Sequence, residues 1–547
     1  MFKAIILENF KAFAERQVIA LSPLTLIYGA NSSGKSSILQ SLLLLKQTME
    51  KHAENTALLT LKGSMIDLGN FQQIVFSHDT TRSVEIALIV KDFDWENATP
   101  CNGYGMGFRF SYNTTNNTIG LNSISHYWSN LNNPDFSLTP SLGSRLVRNY
   151  HYYPSYFSSD KSNRFYDNFY SSFIENYLDK YISNLSRIKE LLTNEQIKAS
   201  DSRRRVKLYR ELNLLCCNIQ EIIESDDILL SLMDAKNHSE RNNAIQDLMD
   251  SFDKLLTHFS DYTIEKYISD IRLRNLYNVA INGILPDEIS YDDENDSNIS
   301  KTDKENGTPF PNLFSWSLDM ASRLNNELED LVYIGPHREP PKRHYISSDT
   351  VSNSVGKTGE FMPDMLLADQ GLENPINGYL NSLGFPYILK IHRIADTDIR
   401  GIFGLQLLDK HSHTQVSLTD VGFGVSQVLP IIVQCLYPVS DQVILVEQPE
   451  LHLHPKAQAA LGSIFVDCIK GEWSKQLIIE THSEHLMLRV QRLIREGRLS
   501  CQDVSVLYVL KDQDGSHCLP LRLDENGEFL DEWPDGFFEE GFREMFS

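Results

Sequence analysis

Hydrophobic runs in the first part of the chain predict short strands and one helix. Four runs have the length and composition of strands and lie at 24–28, 84–92, 104–111 and 118–126. A longer apolar run at 38–45 follows a glycine-rich turn, as the start of a helix would. This order of elements predicts an α/β unit over residues 1–127.

The hydrophobic pattern changes between residues 128 and 324. A stretch rich in tyrosine and asparagine is followed, over about 165–275, by hydrophobic residues at helical spacing. Strict heptads are not sustained, which favours a compact helical domain over a long coiled coil. Residues 287–307 are acidic and polar with few bulky side chains, and they predict a mobile loop. We therefore expect a mainly helical insertion over 128–324.

Two apolar runs predict buried parallel strands in the last part of the chain, 325–547. One run, VILV, leads into Glu447, and the other, QLII, is soon followed by His482. Because these strands should be neighbours in one sheet, we expect Glu447 and His482 to approach each other at its carboxyl edge. Between 418 and 436 a glycine pair precedes a helical pattern, which by itself is typical of a loop entering a core helix.

The strongest chemical signal is GANSSGKS at residues 29–36, between a predicted strand and a predicted helix. The spacing G-x-x-x-x-G-K-S matches a phosphate loop, in which glycines let successive N–H groups point into one concavity. Lys35 would contact the β- and γ-phosphates, and the Ser36 hydroxyl would bind Mg²⁺. A glycine-rich turn that only caps a helix is the alternative. The candidate nucleotide-binding residues are Gly29, Asn31, Ser32, Ser33, Gly34, Lys35, Ser36 and Ser37.

Charge restricts the partners of this protein. The 547 residues include 73 acids and 50 bases, and the net charge of −23 should repel a phosphate backbone. Any contact with nucleic acid therefore requires a local basic patch. The best candidate for such a patch is one basic cluster, and the alternative is that this cluster is only a solvated helix face. Its members are Arg203, Arg204, Arg205, Lys207 and Arg210.

Cysteine spacing and hydropathy suggest a compartment. The seven cysteines form no C-x-x-C pair, so neither a zinc site nor a disulfide framework is expected. The N-terminus carries charges within its apolar stretch, and no apolar run reaches the length of a membrane span. We expect a cytoplasmic protein with no membrane contact.

Five segments, taken in order, resemble one known superfamily. LENFKAF, GANSSGKS, VGFGVSQ, VILVEQPELHLHP and IIETHS look like the ABC-type ATPases related to chromosome-maintenance and recombination proteins, and more narrowly the overcoming-lysogenization-defect-like ATPases. The resemblance covers about 1–125 and 325–547. It implies an α/β fold, an ABC-type P-loop ATPase head with a mixed sheet and flanking helices, split by the insertion. The segments 335–345 and 524–542 resemble the PtuA group, the ATPase subunits of Septu and retron anti-phage systems.

The resemblance implies a role for individual residues. Lys35 and Ser36 match the phosphate-binding lysine and the metal-binding serine. Glu447 takes the place of the metal-binding aspartate. His482 matches the switch histidine that senses the γ-phosphate. The expected cofactors are therefore ATP and Mg²⁺.

Two further segments match less complete motifs. The signature loop, which in this superfamily reaches the nucleotide of a second subunit, corresponds to Gly422, Gly424 and Ser426, with Thr419 as the alternative serine. Gln73, or the adjacent glutamine at 72, corresponds to the glutamine that links the nucleotide to the lobe beyond it. For that pair an exposed polar loop is the alternative.

The residue after the metal-binding acid departs from the superfamily. A catalytic glutamate usually stands there, and this chain has Gln448. A glutamine orients a water molecule but cannot accept its proton. Hydrolysis should therefore be slow, or it should use Glu450 as the base.

Asp512 and Asp514 follow a predicted strand and are similar to the paired acids of a Toprim nuclease. Only about 65 residues follow His482, which is too few for that whole domain. An Asp-Gly pair between two strand-like runs is also a common hairpin turn. We expect no intrinsic nuclease.

These inferences predict an ATPase that dimerises, or forms a higher oligomer, around nucleotide and regulates a separate effector. The resemblance implies an H-N-H nuclease like PtuB as that effector and a role in anti-phage defence. It leaves open whether a reverse transcriptase and its RNA-linked DNA take part. One alternative is a DNA repair or recombination ATPase that acts directly on DNA. Another is a nucleotide-binding structural assembly subunit with little hydrolysis, which Gln448 favours.

Overall fold

The computed structural model describes residues 1–51, 59–91, 103–127, 136–140, 152–154, 277–282, 285–291, 313–348, 350–393 and 401–536. The chain divides into two compact units. The first unit comprises Met1–Ser155, Val279–Ile289 and Leu313–Ser547, and the second comprises Tyr156–Asn278 and Ser290–Asn312. All residues of the candidate nucleotide site belong to the first unit.

A six-stranded sheet carries the nucleotide site. In spatial order its strands are β11 (Val332–Ile334), β16 (Val443–Glu447), β17 (Gln476–Glu480), β3 (Leu24–Gly29), β18 (Val504–Lys511) and β19 (Ser516–Leu521). The first five are parallel, and β19 is antiparallel to β18. Every residue of β3 and β17 is buried, as expected for central strands that are covered on both faces.

Four helices belong to the layers that flank this sheet: α1 (Lys35–Lys51), α6 (Phe423–Leu436), α7 (Pro455–Lys470) and α8 (Glu484–Arg495). Helices α1 and α7 contact β3 and β17, and α7 also packs against α6 and α8. Leucine, isoleucine and valine side chains from these elements form one buried core. Ser483 caps helix α8, because its side chain accepts a hydrogen bond from the Leu486 N–H, and the helix therefore begins two residues after His482.

A second sheet has nine strands: β10 (Leu285–Tyr291), β9 (Tyr277–Asn282), β8 (Tyr152–Pro154), β7 (Phe136–Pro140), β6 (Thr118–Tyr127), β5 (Gly103–Asn113), β4 (Val84–Lys91), β1 (Phe2–Glu8) and β2 (Gln17–Ala20). Strands β1, β2, β4, β5 and β6 pair antiparallel. The buried Glu85 carboxylate on β4 bonds Arg109 on β5 and Tyr127 on β6, and it accepts a hydrogen bond from Arg16 at 3.0 Å. A charge inside the sheet is thus paired.

The remaining described elements complete the first unit. A small sheet contains β12 (Tyr345–Ile346), β14 (Ile402–Asp409), β13 (Tyr387–Arg393) and β15 (Gln415–Ser417). The other helices are α2 (Phe71–Ile74), α3 (Leu313–Glu329), α4 (Met362–Ala368) and α5 (Glu373–Ser382). Single 3-10 turns lie at Phe76–His78, Gln370–Leu372, Leu418–Asp420, Cys501–Asp503 and Pro534–Gly536.

The predicted fold class is confirmed: the chain has an α/β fold with a mixed sheet and flanking helices. The strands expected at 84–92, 104–111 and 118–126 are β4, β5 and β6.

The mobile loop predicted for 287–307 is wrong at its start, because 287–291 belong to β10. Ile289 and Tyr291 alternate there with polar residues, which suits a strand that pairs with β9. Residues 292–307, the helical pattern over about 165–275 and the basic cluster at 203–210 lie outside the described residues. The predicted domain boundaries stay a prediction.

Candidate nucleotide site

The phosphate loop has the backbone that its glycines predict. Gly29 and Gly34 have φ of +143° and +106°, and Ser32 between them has φ of +62°. A Cβ atom on Gly29 would lie 2.4 Å from the carbonyl oxygen of Val509, so no larger residue fits there. Asn31 and Ser32 are exposed at the tip of the loop, and Ser33 is buried. The loop leads directly into the N-terminus of α1, where N–H groups are available to an anion.

Lys35 folds back over this loop. Its ammonium donates hydrogen bonds to the carbonyl oxygens of Gly29, at 3.0 Å, and Ala30, at 2.8 Å. Burial lowers the pKa of Lys35, while the nearby Glu480 and Glu450 carboxylates oppose that shift. A phosphate would offer the ammonium a charged partner in place of two neutral ones. Ser37 is buried in the first turn of α1, where its N–H donates to Gly34 O at 3.0 Å.

Two carboxylates meet at the carboxyl edge of the six-stranded sheet. Glu447, the last residue of β16, lies directly opposite Glu480, the last residue of β17. The Tyr333 hydroxyl donates to Glu447 Oε1 at 2.8 Å. The Ser36 hydroxyl lies beside the Glu480 carboxylate, where it opposes the rise in pKa that burial causes in that carboxyl. The structure therefore brings the predicted Ser36 and Glu447 to one acidic edge of the sheet.

Burial raises the pKa of both Glu447 and Glu480, and the charge of Glu480 raises the pKa of Glu447 further. Sequence reasoning missed Glu480. The available signal was its place at the end of the same buried strand that leads to His482.

Arg338 holds the turn that follows β16. Its guanidinium, 6% exposed, donates to the carbonyl oxygens of Glu447 at 3.1 Å and Gln448 at 3.3 Å, and also to Pro336 O at 3.1 Å. Burial lowers the pKa of Arg338 to about 10, against the opposing charges of Glu450 and Glu447. Sequence reasoning did not assign this residue, although it lies within the GPHREPPKRHY segment.

Gln448 lies in a strained turn at the edge of the site. It has φ of +45°, in the region that favours glycine, and its N–H donates to Glu480 O at 2.8 Å. A non-glycine residue in this conformation is uncommon and often marks a functional turn. The two strand ends, β16 and β17, are thereby joined by one further backbone bond.

Glu450 bonds the segment that follows β17, residues 481–483, which we call the switch segment. One of its oxygens, Oε1, accepts the backbone N–H of His482 at 2.6 Å, while Oε2 is buried with no hydrogen-bond partner among the described residues. Burial raises the pKa of Glu450. Burial, and then the nearby Lys35 charge, lower the pKa of His482. His482 and Glu450 therefore lie beside the phosphate loop, as the predicted neighbouring strands require.

The predicted signature residues lie on a different element. Gly422 precedes α6 and is exposed, and Gly424 lies in its first turn. Ser426 is buried within α6, and its hydroxyl donates to Phe423 O at 2.9 Å. Thr419, the alternative serine equivalent, bonds the Ser417 side chain at 3.0 Å. The Ser426 hydroxyl is thus engaged within its own helix.

Gln73 forms a capping box at the start of α2. Its N–H donates to the Asn70 side chain at 3.1 Å, and its own side chain accepts from the Asn70 N–H at 3.1 Å. In the structure Gln73 therefore caps a short helix whose Phe71 and Ile74 side chains are buried, and its link to the nucleotide stays a prediction.

The hairpin of β18 and β19, in the C-terminal segment, contacts the phosphate loop. Ser516, 1% exposed, donates from Oγ to Ser33 O at 2.6 Å and from its N–H to Ala12 O at 2.8 Å. Its Oγ also lies 3.1 Å from the place where a Cβ atom on Gly34 would stand. Sequence reasoning missed Ser516, because nothing near it resembles a nucleotide motif.

The hairpin turn that precedes Ser516 contains the predicted acid pair. Asp512 accepts the N–H of Asp514 at 2.8 Å and that of Gly515 at 3.1 Å. The pair therefore forms the turn between β18 and β19, as the Asp-Gly signal predicts.

The donor set at the sheet edge suits Mg²⁺. The Ser36 hydroxyl and the Glu447 and Glu480 carboxylates supply oxygen atoms, and Oε2 of Glu480 is buried without a hydrogen-bond partner in the described part of the chain. Mg²⁺ prefers oxygen ligands and binds through one or two carboxylates together with substrate phosphates and water. A site built in this way does not require three protein side chains as ligands. Within the described ranges, no group of three or more acidic, histidine or cysteine side chains is arranged to hold a metal ion.

Together, the parallel sheet, the phosphate loop and the acidic strand ends define a P-loop ATPase with an ABC-type head. Residues 1–487 match the family described as the AAA ATPase domain, and the chain belongs to that family. Residues 499–547 match a family described as a protein of unknown function (DUF3696). Among the described helices, none has both the length and the apolar character to cross a membrane.

The chain is also similar to solved structures of Smc head domains. The head with an extended coiled coil bound to the C-terminal domain of ScpA, from Pyrococcus furiosus, is 11% identical, with 95% of this chain and 96% of that chain covered and a TM-score of 0.37. The head from Thermotoga maritima is 9% identical, with 95% and 99% covered and a TM-score of 0.33. Scores this low support no conclusion about this chain. No curated protein matches the sequence.

We expect Ser516→Ala to weaken nucleotide binding, because it removes the hydrogen bond that fixes the Ser33 carbonyl. One buried hydrogen bond contributes about 1 kcal/mol, so the Kd for ATP with Mg²⁺ should rise roughly fivefold. Calorimetric titration measures this change. Ser505→Ala is the matched control, since Ser505 bonds Ala20 O at the opposite end of β18. An equal effect of both variants would contradict a local role for Ser516.

Proposed function

We propose that this chain is a slow, nucleotide-controlled ATPase switch of the PtuA group that regulates a separate effector nuclease in anti-phage defence. The observation that carries the ATPase part is the assembly of Lys35, Ser36 and Glu447 at one sheet edge. The defence assignment is supported by the segments at 335–345 and 524–542, which resemble the ATPase subunits of Septu and retron systems.

Each residue of the site has a part in the proposed cycle. The N–H groups of the phosphate loop and the Lys35 ammonium bind the β- and γ-phosphates of ATP. Ser36 and Glu447 would hold Mg²⁺, which would neutralise charge on the phosphates. His482, beside Lys35, contacts the γ-phosphate and reports its loss to α8, which begins two residues further on. Arg338 keeps the Glu447–Gln448 turn in place.

Slow hydrolysis is supported by the groups next to Glu447. Gln448 lacks a proton-accepting oxygen of carboxylate strength. Glu450, the alternative base, already accepts the His482 N–H and keeps only Oε2 for a water molecule. A switch that stays in its ATP state for long periods suits a protein that restrains another. The same features favour the second candidate, an assembly subunit with little hydrolysis.

Dimerisation around nucleotide is supported by the surface at the start of α6. Gly422 is exposed, and the Phe423 ring, 65% exposed, is tilted against the His452 ring at 5.9 Å. A helix N-terminus with an exposed aromatic residue suits contact with a second subunit that carries bound phosphate. The proposed assembly is a homodimer or a higher oligomer of heads.

The effector in this proposal is an H-N-H nuclease like PtuB. Asp512 and Asp514 form a hairpin turn, which supports the expectation that the chain does not cut nucleic acid by itself. A reverse transcriptase with its RNA-linked DNA would be a further partner in a retron system. The cluster at 203–210 is the proposed nucleic-acid contact. Direct action on DNA by a repair ATPase is the competing function, which DNA-stimulated ATP turnover would favour.

Lys35→Ala tests the nucleotide site. The substitution removes the cation that contacts the transferable phosphates, so we expect ATP affinity to fall roughly 10- to 100-fold, as for loss of a charge-assisted hydrogen bond. Calorimetry with ATP and Mg²⁺ measures it. Lys470→Ala, on the exposed end of α7, is the matched control. Unchanged affinity in folded Lys35→Ala would remove the phosphate loop from the mechanism.

Gln448→Glu tests the cause of slow hydrolysis. A carboxylate at this position can accept a proton from water, so we expect turnover to rise about tenfold or more. Steady-state phosphate release measures it, with the exposed Gln502→Glu as control. Glu450→Gln should instead lower turnover if Glu450 is the base. If neither variant changes the rate, the water lies elsewhere.

Cleavage assays test whether the nuclease activity belongs to a separate protein. The purified chain alone should leave plasmid DNA and tRNA intact, and cleavage should appear only when the product of the neighbouring nuclease gene is added. The variant with Asp512→Ala and Asp514→Ala should behave as the wild type. Metal-dependent cutting by the chain alone that this double variant abolishes would show an intrinsic nuclease and reject the switch model.

A further inference from the structure

The Glu480 carboxylate lies at the nucleotide site without a role from any sequence motif. It ends β17, is 4% exposed, and is paired in register with Glu447 of β16. Paired residues of adjacent parallel strands direct their side chains to the same face of the sheet. The two carboxylates therefore stand side by side at one edge, where like charges repel each other.

Glu480 also contacts the residue that binds the metal. The Ser36 hydroxyl lies beside the Glu480 carboxylate and partly offsets the rise that burial causes in the pKa of that carboxyl. A serine hydroxyl that gives its hydrogen to a carboxylate keeps its lone pairs available for a cation. Glu480 is thus placed to orient the Ser36 oxygen.

The second oxygen of Glu480 lacks a partner. Oε2 is buried and makes no hydrogen bond to any residue that the structure describes. The nearest cation, Lys35, donates hydrogen bonds to the Gly29 and Ala30 carbonyls rather than to Glu480. An unsatisfied buried carboxylate oxygen is costly, and a second carboxylate beside it adds to that cost. A divalent cation would satisfy both acids at once.

We propose that Glu480 is the second acidic group of the Mg²⁺ site, where it acts with Ser36 and Glu447. One oxygen would accept the Ser36 hydrogen, and the unpartnered Oε2 would accept from water bound to the metal. The inference rests on the proposed function, because the metal enters with ATP. Glu480 therefore sets the affinity and the identity of the metal rather than the affinity for the nucleotide itself.

Glu480→Gln separates metal binding from nucleotide binding in the full chain. Mn²⁺ binding is followed by electron paramagnetic resonance in the presence of a non-hydrolysable ATP analogue. Loss of a carboxylate that supports a metal typically lowers metal affinity 10- to 100-fold, and we expect a loss in that range. In EDTA, affinity for the analogue should be unchanged or tighter, because a negative charge near the phosphates is gone. The exposed Glu472→Gln is the matched control and should leave both affinities as in the wild type.

Glu480→Asp gives a second measurement that keeps the charge. It withdraws the carboxylate by one methylene, so it should disfavour Mg²⁺, with ligand distances of about 2.0–2.1 Å, more than Ca²⁺, at about 2.3–2.6 Å. We expect the preference for Mg²⁺ over Ca²⁺ with bound analogue to fall several-fold. A purely structural role would leave this preference unchanged.

The outcomes distinguish this inference from the proposed function. Wild-type Mn²⁺ affinity in folded Glu480→Gln, or an unchanged metal preference in Glu480→Asp, overturns the role of Glu480 and leaves the ATPase intact. Absence of Mn²⁺–nucleotide binding in the wild type itself would instead overturn the proposed function.

Discussion

The parallel pairing of β3 with β17 and β18 is the constraint on which the site depends. The carboxyl ends of parallel strands share one edge of a sheet, so this pairing brings the phosphate loop after Gly29 beside Glu480 and Val509. Adding β16 to β17 brings Glu447 to the same edge. Residues about 410 positions apart in the sequence therefore meet through backbone hydrogen bonds alone, before any side chain contributes. A shift of register in either pairing would separate the lysine from the acids.

Charge at this edge determines what the site can accept. Three carboxylates and two cations are gathered there, namely Glu447, Glu450, Glu480, Lys35 and Arg338. Arg338 is occupied by three carbonyl oxygens, which leaves Lys35 as the cation nearest the phosphate loop. ATP alone would meet net repulsion from the acids. Mg²⁺ held by these acids would reduce this repulsion, so nucleotide binding and metal binding would be coupled.

The local part of this site could be predicted from the sequence, but little of the rest could. The loop from Gly29 to Ser36 could be predicted because eight consecutive residues carry the backbone conformation and the chemistry together. Glu447 and His482 could be placed because each follows a buried hydrophobic run. Ser516 could not, since its contact with Ser33 depends on where a distant hairpin folds. Motifs matched by resemblance alone were less informative. Ser426 and Gln73 occupy the expected segments, but their side chains satisfy local helix bonds.

The C-terminal segment is a structural part of the ATPase head, although it matches a separate family of unknown function. Its strand β18 covers one side of β3, so without it the phosphate-loop strand would become an exposed edge. Trp533, further along this segment, packs edge-on against Tyr28 of β3 with ring centroids 5.4 Å apart, and the Tyr28 hydroxyl donates to Ser483 O at the start of α8. A continuous set of contacts thus runs from the C-terminal segment through the phosphate-loop strand to the switch segment. Because Tyr28 is fully buried and closely packed, the C-terminal segment helps to hold the phosphate-loop strand and the start of α8 in place.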